Sequence, residues 1–213
     1  TKDPDYTTPA PAGFMGERGG AETHATLITV VESPVRPGII WAGTDDGNVQ
    51  VTRDAGVTWT NVRDKIPTTQ VPERTWVSRV EPSHFDAGTA YVSFDAHRTG
   101  NFKPYVFKTT DFGATWTNIS SNLPQRDPVY VIKEDLKNPN LLFVGTEFGV
   151  YASIDGGGAW HKMMTGMPTV AVHDLVIHPR DNDLVAGTHG RSLWILDDIT
   201  PLQHLTPTVL ASN

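Results

Sequence analysis

The octet Ser/Thr-x-Asp-x-Gly-x-x-Trp occurs three times in this chain of 213 residues. The copies open on Thr52, Thr109 and Ser153 and close on Trp59, Trp116 and Trp160, with Asp54, Asp111 and Asp155 third and Gly56, Gly113 and Gly157 fifth. Each lies between strand-like runs, so the chain is built from repeats, and its particular function must lie in what differs between them. Asp-x-Gly between two β runs marks a tight hairpin: glycine supplies positive φ, and aspartate accepts hydrogen bonds from turn amides. The Ser/Thr hydroxyl is a second local acceptor. The tryptophan opens the returning strand and is expected to wedge its ring between neighbouring sheets in all three copies. A calcium loop needs six or more oxygens, whereas each octet offers one carboxylate and one hydroxyl, so the octets read as structural turns.

Aligning on the octets reveals a larger unit. Apolar first strands are expected at Thr26–Glu32, Trp76–Glu81, Val129–Lys133 and Ala171–His178, and second strands at Ile39–Gly43, Ala90–Phe94, Leu141–Gly145 and Leu184–Gly187. Third strands run into the octets at Val49–Thr52, Tyr105–Lys108 and Val150–Ser153, with Ser192–Leu196 in the fourth repeat; the octet tryptophans begin the fourth strands. Short runs of this kind separated by turn residues are the strand signal. Four antiparallel strands in roughly 45 residues make a propeller blade. The fourth repeat is degenerate. Asp197 falls at the aspartate position, and Ile199-Thr200-Pro201 replaces the rest, which suggests a terminal blade or one whose outer strand comes from elsewhere.

The octets resemble the Asp-box, or BNR, repeats of sialidases, sortilin-type (VPS10) domains and xyloglucanase-like glycoside hydrolases. The runs from Ile39 to Val51 and from Asp183 to Asp198 are most similar to bacterial VPS10/sortilin-like propeller proteins. The resemblance implies an all-β propeller with four recognisable blades at about 25–66, 75–124, 128–168 and 170–200, an irregular lead-in over 1–24 and a trailing linker over 201–213. Propellers of this type usually have six or more blades, so the expectation is part of a larger propeller. A self-contained four-blade ring and a ring closed by a second molecule are the alternatives. The resemblance also implies a secreted or periplasmic protein.

Composition narrows the function classes. Charged residues are 19% of the chain, against 19 glycines, 16 prolines and six tryptophans, which favours β structure. A net charge of −7 without blocks of like charge argues against a nucleic-acid groove. No run of eighteen apolar residues is present to span a membrane. With no cysteine, disulfides, thiolate metal sites and cysteine catalysis all fall away. Asn118-Ile119-Ser120 is a glycosylation sequon, meaningful only in a eukaryotic secretory pathway.

Successive hairpins of a blade alternate between the two faces of the disc, so the octets share one face with the 1–2 turns. The 2–3 loops and 4–1 connections share the other, where the resembled families hold their ligands. Candidate ligand-binding residues on that face are Asp45 and Asp46 in repeat one, Asp95, His97 and Arg98 in repeat two, Glu147 in repeat three, and His189 and Arg191 in repeat four. The loop of repeat two is longer by about seven residues, and such an insertion is where a repeat array acquires a special role. The plainer reading of that loop is an Asp95–Arg98 pair holding it shut.

Enzyme signatures are incomplete. A sialidase needs three arginines, a Tyr–Glu pair and an aspartate, and no Tyr–Glu arrangement stands out; a xyloglucanase needs two aspartates across a cleft between two propellers. No Gly-x-Ser-x-Gly elbow occurs. His173, His178 and His189 form only a loose grouping, unsuited to a metal pair. The sequence therefore reads as a non-catalytic, sortilin-like module binding a protein, peptide or glycan on the face opposite the octets, with no cofactor. The alternatives are a glycoside hydrolase propeller whose catalytic residues lie partly elsewhere, and a structural subunit docked through its open ends, to further blades of a longer chain or of a partner.

Overall fold

The computed structural model describes residues 26–163, 166–205 and 209. The lead-in expected over 1–24 lies outside the described residues. Among the described residues, fifteen strands form four antiparallel sheets, each wound in chain order. Blade 1 holds β1 (Leu27–Glu32), β2 (Ile40–Thr44), β3 (Val49–Thr52) and β4 (Thr60–Asn61). Blade 2 holds β5 (Trp76–Pro82), β6 (Ala90–Asp95), β7 (Tyr105–Thr109) and β8 (Thr117–Asn118). Blade 3 holds β9 (Val129–Glu134), β10 (Leu142–Thr146), β11 (Gly149–Ser153) and β12 (His161–Lys162). Blade 4 has three strands, β13 (Val172–Ile177), β14 (Leu184–Thr188) and β15 (Leu193–Leu196), followed by the short helix α1 (Thr200–His204).

The core lies between blades rather than within one layer. One buried cluster joins blades 1 and 2 around Trp41, Val77 and Phe94, a second joins blades 2 and 3 around Tyr91, Ile132 and Trp160, and a third joins blades 3 and 4 around Phe143, Val172 and Leu175. Consecutive inner strands touch: β1 with β5, β5 with β9, and β9 with β13. Arg79 of blade 2 also pairs with Asp174 of blade 4, so the inner strands converge on a common axis. At 1% exposure, Glu134 of blade 3 accepts hydrogen bonds from Ser83 Oγ, the His84 N–H and Tyr91 Oη, all of blade 2.

The three octets fold alike. In the first, Thr52 Oγ1 donates to Asp54 at 2.7 Å and accepts from the Gly56 N–H at 2.9 Å, while Asp54 accepts from the Thr58 N–H at 2.8 Å. The corresponding distances are 2.8, 2.9 and 2.8 Å at Thr109–Asp111–Gly113–Thr115. They are 2.7, 2.9 and 2.9 Å at Ser153–Asp155–Gly157–Ala159. The fourth octet residue is left-handed in every copy, with φ +58° at Ala55, +57° at Phe112 and +72° at Gly156. It donates its N–H to the 1–2 turn of its own blade: to Gly38, Gly88 and Asn140 respectively. The hydroxyl and carboxylate together hold two consecutive residues in a conformation that L side chains resist.

The octets of blades 2 and 3 also dock on the preceding blade. A Cβ on Gly113 would meet Val62, and one on Gly157 would meet Ile119, both at 2.8 Å. The Trp160 indole N–H donates to the Ile119 carbonyl at 2.7 Å, and Asn122 bonds both backbone groups of Trp160. The expectation that all three tryptophans are core wedges is corrected here. Trp160 is 3% exposed and Trp116 packs on the blade 1–2 core, but Trp59 is 44% exposed, because no blade precedes blade 1 among the described residues.

The fourth repeat is shifted by one residue from the sequence alignment. Ile199 N–H bonds to the carbonyl of Asn182 in the 1–2 turn, as Ala55, Phe112 and Gly156 do in theirs, so Asp198, not Asp197, holds the aspartate position. Where a linker was expected from 201, α1 instead docks on blade 3: Gln203 Nε2 donates to both oxygens of Asp135, and its carbonyl accepts from Asn138. The helix thus packs at the 1–2 turn of blade 3, on the face that carries the octets.

Candidate functional site

Every inner strand carries a β-bulge near its start. The register shifts between Leu27 and Thr29 in β1, Val77 and Arg79 in β5, Val129 and Val131 in β9, and Val172 and Asp174 in β13. The extra residues are therefore Ile28, Ser78, Tyr130 and His173. A bulge re-aims a side chain out of the strand's alternation. In blades 3 and 4 it delivers two flat rings: Tyr130 and His173 stack with centroids 4.3 Å apart and planes at 12°. His189, from the 2–3 loop of blade 4, lies 5.3 Å from His173, and His97, from the long loop of blade 2, meets Tyr130 edge-on at 6.1 Å.

These rings line a cavity of about 490 Å³. Phe102 and Glu147–Phe148 come to it from the 2–3 loops of blades 2 and 3, and Arg126, Pro128 and Ala171 from the 4–1 connections. By topology this is the face opposite the octets. Glu147 accepts from Tyr130 Oη at 2.5 Å. Burial, then that bond, push the Tyr130 phenol above its ordinary value. Burial and then the neighbouring His189 ring push the His173 imidazole below its usual value, favouring the neutral ring. Asp95, itself buried, holds His97 Nδ1 at 2.5 Å and its N–H at 3.0 Å, which fixes the ring with Nε2 free to face the cavity. Phe102 and Phe148 are exposed, and the Arg126 guanidinium lies 5.9 Å from the Phe102 ring with no carboxylate partner among the described residues.

Of the residues expected from sequence, His97, Glu147 and His189 meet at this cavity, and Asp95 supports it from behind. The Asp95–Arg98 pair does not form: Asp95 engages His97, and the Arg98 guanidinium stacks on Trp76 at 4.0 Å. Asp45 is buried and caps the Thr26 N–H at 2.8 Å, while Asp46 accepts from Thr44 and Asn48 within its own loop and lines a separate cavity with Arg63 and Arg74. Arg191 is exposed away from the cavity, its carbonyl accepting the Trp194 indole N–H. Sequence reading missed Tyr130 as a site residue and set His173 aside, since strand alternation alone does not reveal a bulge. It also missed two Tyr–Glu pairs, Tyr130–Glu147 at the cavity and the buried Tyr91–Glu134. No group of three or more His, Asp or Glu side chains among the described residues is placed to hold a metal ion, and no helix among them is long and apolar enough to cross a membrane.

No family model and no curated protein matches the chain. Solved structures do match. YCF48 bound to D1 peptide aligns with a TM-score of 0.59 at 19% identity, covering 82% of this chain and 52% of that one. The GH74 xyloglucanase from Xanthomonas campestris aligns with a TM-score of 0.62 at 19% identity, covering 85% and 29%. The computationally designed Ika4 protein aligns with a TM-score of 0.53 at 13% identity, covering 84% and 94%. The fold is thus a β-propeller array. The chain spans about half the length of YCF48 and under a third of the xyloglucanase.

Proposed function

We propose that this protein is a non-catalytic, sortilin-like binding module of the Asp-box kind, taking a protein, peptide or glycan in the axial cavity opposite its octets. The observation that carries this reading is the convergence of loops from three blades on one cavity. They supply apolar faces from Phe102, Phe148 and Tyr130 and hydrogen-bonding edges from His97, His173, His189 and Arg126. Ligand sites of this size combine mostly apolar walls with a few placed polar groups. Neither His173 nor His189 engages a ring nitrogen with a side chain or carbonyl among the described residues, so both edges are free for a ligand. YCF48, of the same fold, is solved with a peptide, which supports the peptide arm.

The glycoside hydrolase alternative draws on the Tyr130–Glu147 pair. Against it, the phenol is shifted away from ionisation, and Arg126 is the one guanidinium lining the cavity. The test is capture of labelled protein on peptide and glycan arrays, wild type beside a His189→Ala/Phe148→Ala variant. Loss of captured features at unchanged melting temperature supports the reading; no capture by the wild type, or full capture by the variant, refutes it. The same reading carries a secreted or periplasmic location, which fractionation of the producing cells tests.

A further inference from the structure

Three aromatic rings toward the face opposite the octets are covered by arginines of this chain. The Arg63 guanidinium lies 5.4 Å from the centre of the Phe94 ring, that of Arg98 lies 4.0 Å from Trp76, and that of Arg126 lies 5.9 Å from Phe102. All three are within reach of a cation–aromatic attraction. Phe148, which the 2–3 loop of blade 3 brings to the cavity, is 43% exposed, and no cation among the described residues lies over it. The carboxylate beside it is half used. Glu147 Oε2 accepts from Tyr130, whereas Oε1 has no hydrogen-bond partner and no lysine or arginine pairs with the group among the described residues.

The field at this place is negative. After burial and the Glu147 bond, the charges of Asp95, Glu147 and Asp127 push the Tyr130 phenol further up. Asp127 is 1% exposed and accepts the Phe148 N–H at 3.1 Å, and its Oδ2 has no hydrogen-bond partner among the described residues. Against these carboxylates the lining sets one guanidinium, Arg126, which already leans on Phe102, while burial and His189 keep the His173 ring neutral. A carboxylate or phosphate brought here would be repelled by the acids already in place. We propose that the cavity takes a basic side chain of a peptide, a lysine ammonium or an arginine guanidinium, laid over Phe148 and hydrogen-bonded to Glu147 Oε1. Such a group gains both the ring face and a charge-assisted bond. The inference rests on the binding-module reading above and narrows it to one ligand chemistry.

The test offers the protein a displayed random-peptide library and a glycan array, then titrates one selected peptide by fluorescence anisotropy. Selected peptides are expected to be enriched in lysine or arginine over the unselected library. Exchanging that basic residue for norleucine is expected to weaken binding about tenfold, the worth of one charge-assisted bond. Glu147→Gln is expected to bind the basic and norleucine peptides alike. Arg126→Gln, which removes the competing cation, is expected to bind the basic peptide more tightly than the wild type. Peptides selected without basic enrichment, a basic preference kept in full by Glu147→Gln, or weaker binding by Arg126→Gln overturn the proposal. Spermidine that displaces the peptide at equal concentration also overturns it, assigning the site to free polyamines. Capture of glycans alone overturns it and leaves the binding-module reading standing; capture of neither overturns both.

Discussion

Truncating the three octet tryptophans separately should give three different losses, in the order Trp160, Trp116, Trp59. Trp160 is buried, and its indole N–H is the donor to the Ile119 carbonyl. Trp→Ala at such a site costs about 3–5 kcal/mol, and the orphaned carbonyl adds about 1 kcal/mol. Trp116 is partly buried edge-on to Trp41, with ring centroids 6.3 Å apart, and its own indole N–H is buried without an acceptor. Roughly half an indole's area at about 25 cal/mol per Å² gives about 2–3 kcal/mol. The absence of a hydrogen bond to break keeps the loss near that figure. Trp59 covers mainly its own turn, a contact the unfolded chain partly retains, so its loss should stay below about 1.5 kcal/mol. Urea unfolding followed by circular dichroism measures all three, and Trp160→Ala should lower the melting temperature by roughly 10–20 °C. Equal losses at the three sites, or the largest loss at Trp59, would refute the reasoning.

Other outcomes follow from the same packing. Gly145→Ala should destabilise by about 1–3 kcal/mol through the clash with Val131 and Val172, whereas Gly187→Ala in blade 4, whose Cβ would meet nothing closer than 3.6 Å, should be near neutral; calorimetry of the pair checks this. Glu134→Ala strands the buried donors of Ser83, His84 and Tyr91 and should cost about 3 kcal/mol or more, with Glu134→Gln costing less in the same urea assay. Asp54 is held down to about 2 by the Thr58 hydroxyl and N–H and by Thr52, from an ordinary value of 3.8. Its contribution is therefore full above pH 3.8 and lost as pH falls from there to about 2, and Asp54→Asn should flatten that part of a stability–pH profile.

The octets made the repeat legible because hairpin chemistry is local: Thr52, Asp54 and Gly56 satisfy one another whatever surrounds them. The strands followed from short apolar runs between turns, and His97, Glu147 and His189 from the topology that sends every 2–3 loop to one face. What stayed hidden was non-local. Tyr130 and His173 reach the cavity through bulges, which break the alternation that strand reading relies on. Trp59 carries the same octet as Trp160 but has no neighbouring blade among the described residues to bury it, and an octet cannot report what precedes its blade. The helix α1 was read as linker because Pro201 and a missing octet suggest an ending, while its anchor, Gln203 on Asp135, spans 68 residues.

The account rests on the octets of blades 2 and 3 pinning each blade to the one before it, and a double-mutant cycle on Ile119 of blade 2 and Trp160 of blade 3 tests that most directly. Ile119→Ala, Trp160→Ala and the double variant, compared by urea unfolding, should show a coupling energy of about 1–3 kcal/mol, since the two side chains belong to one buried cluster across the interface. Losses that simply add, within about 0.5 kcal/mol, would contradict it.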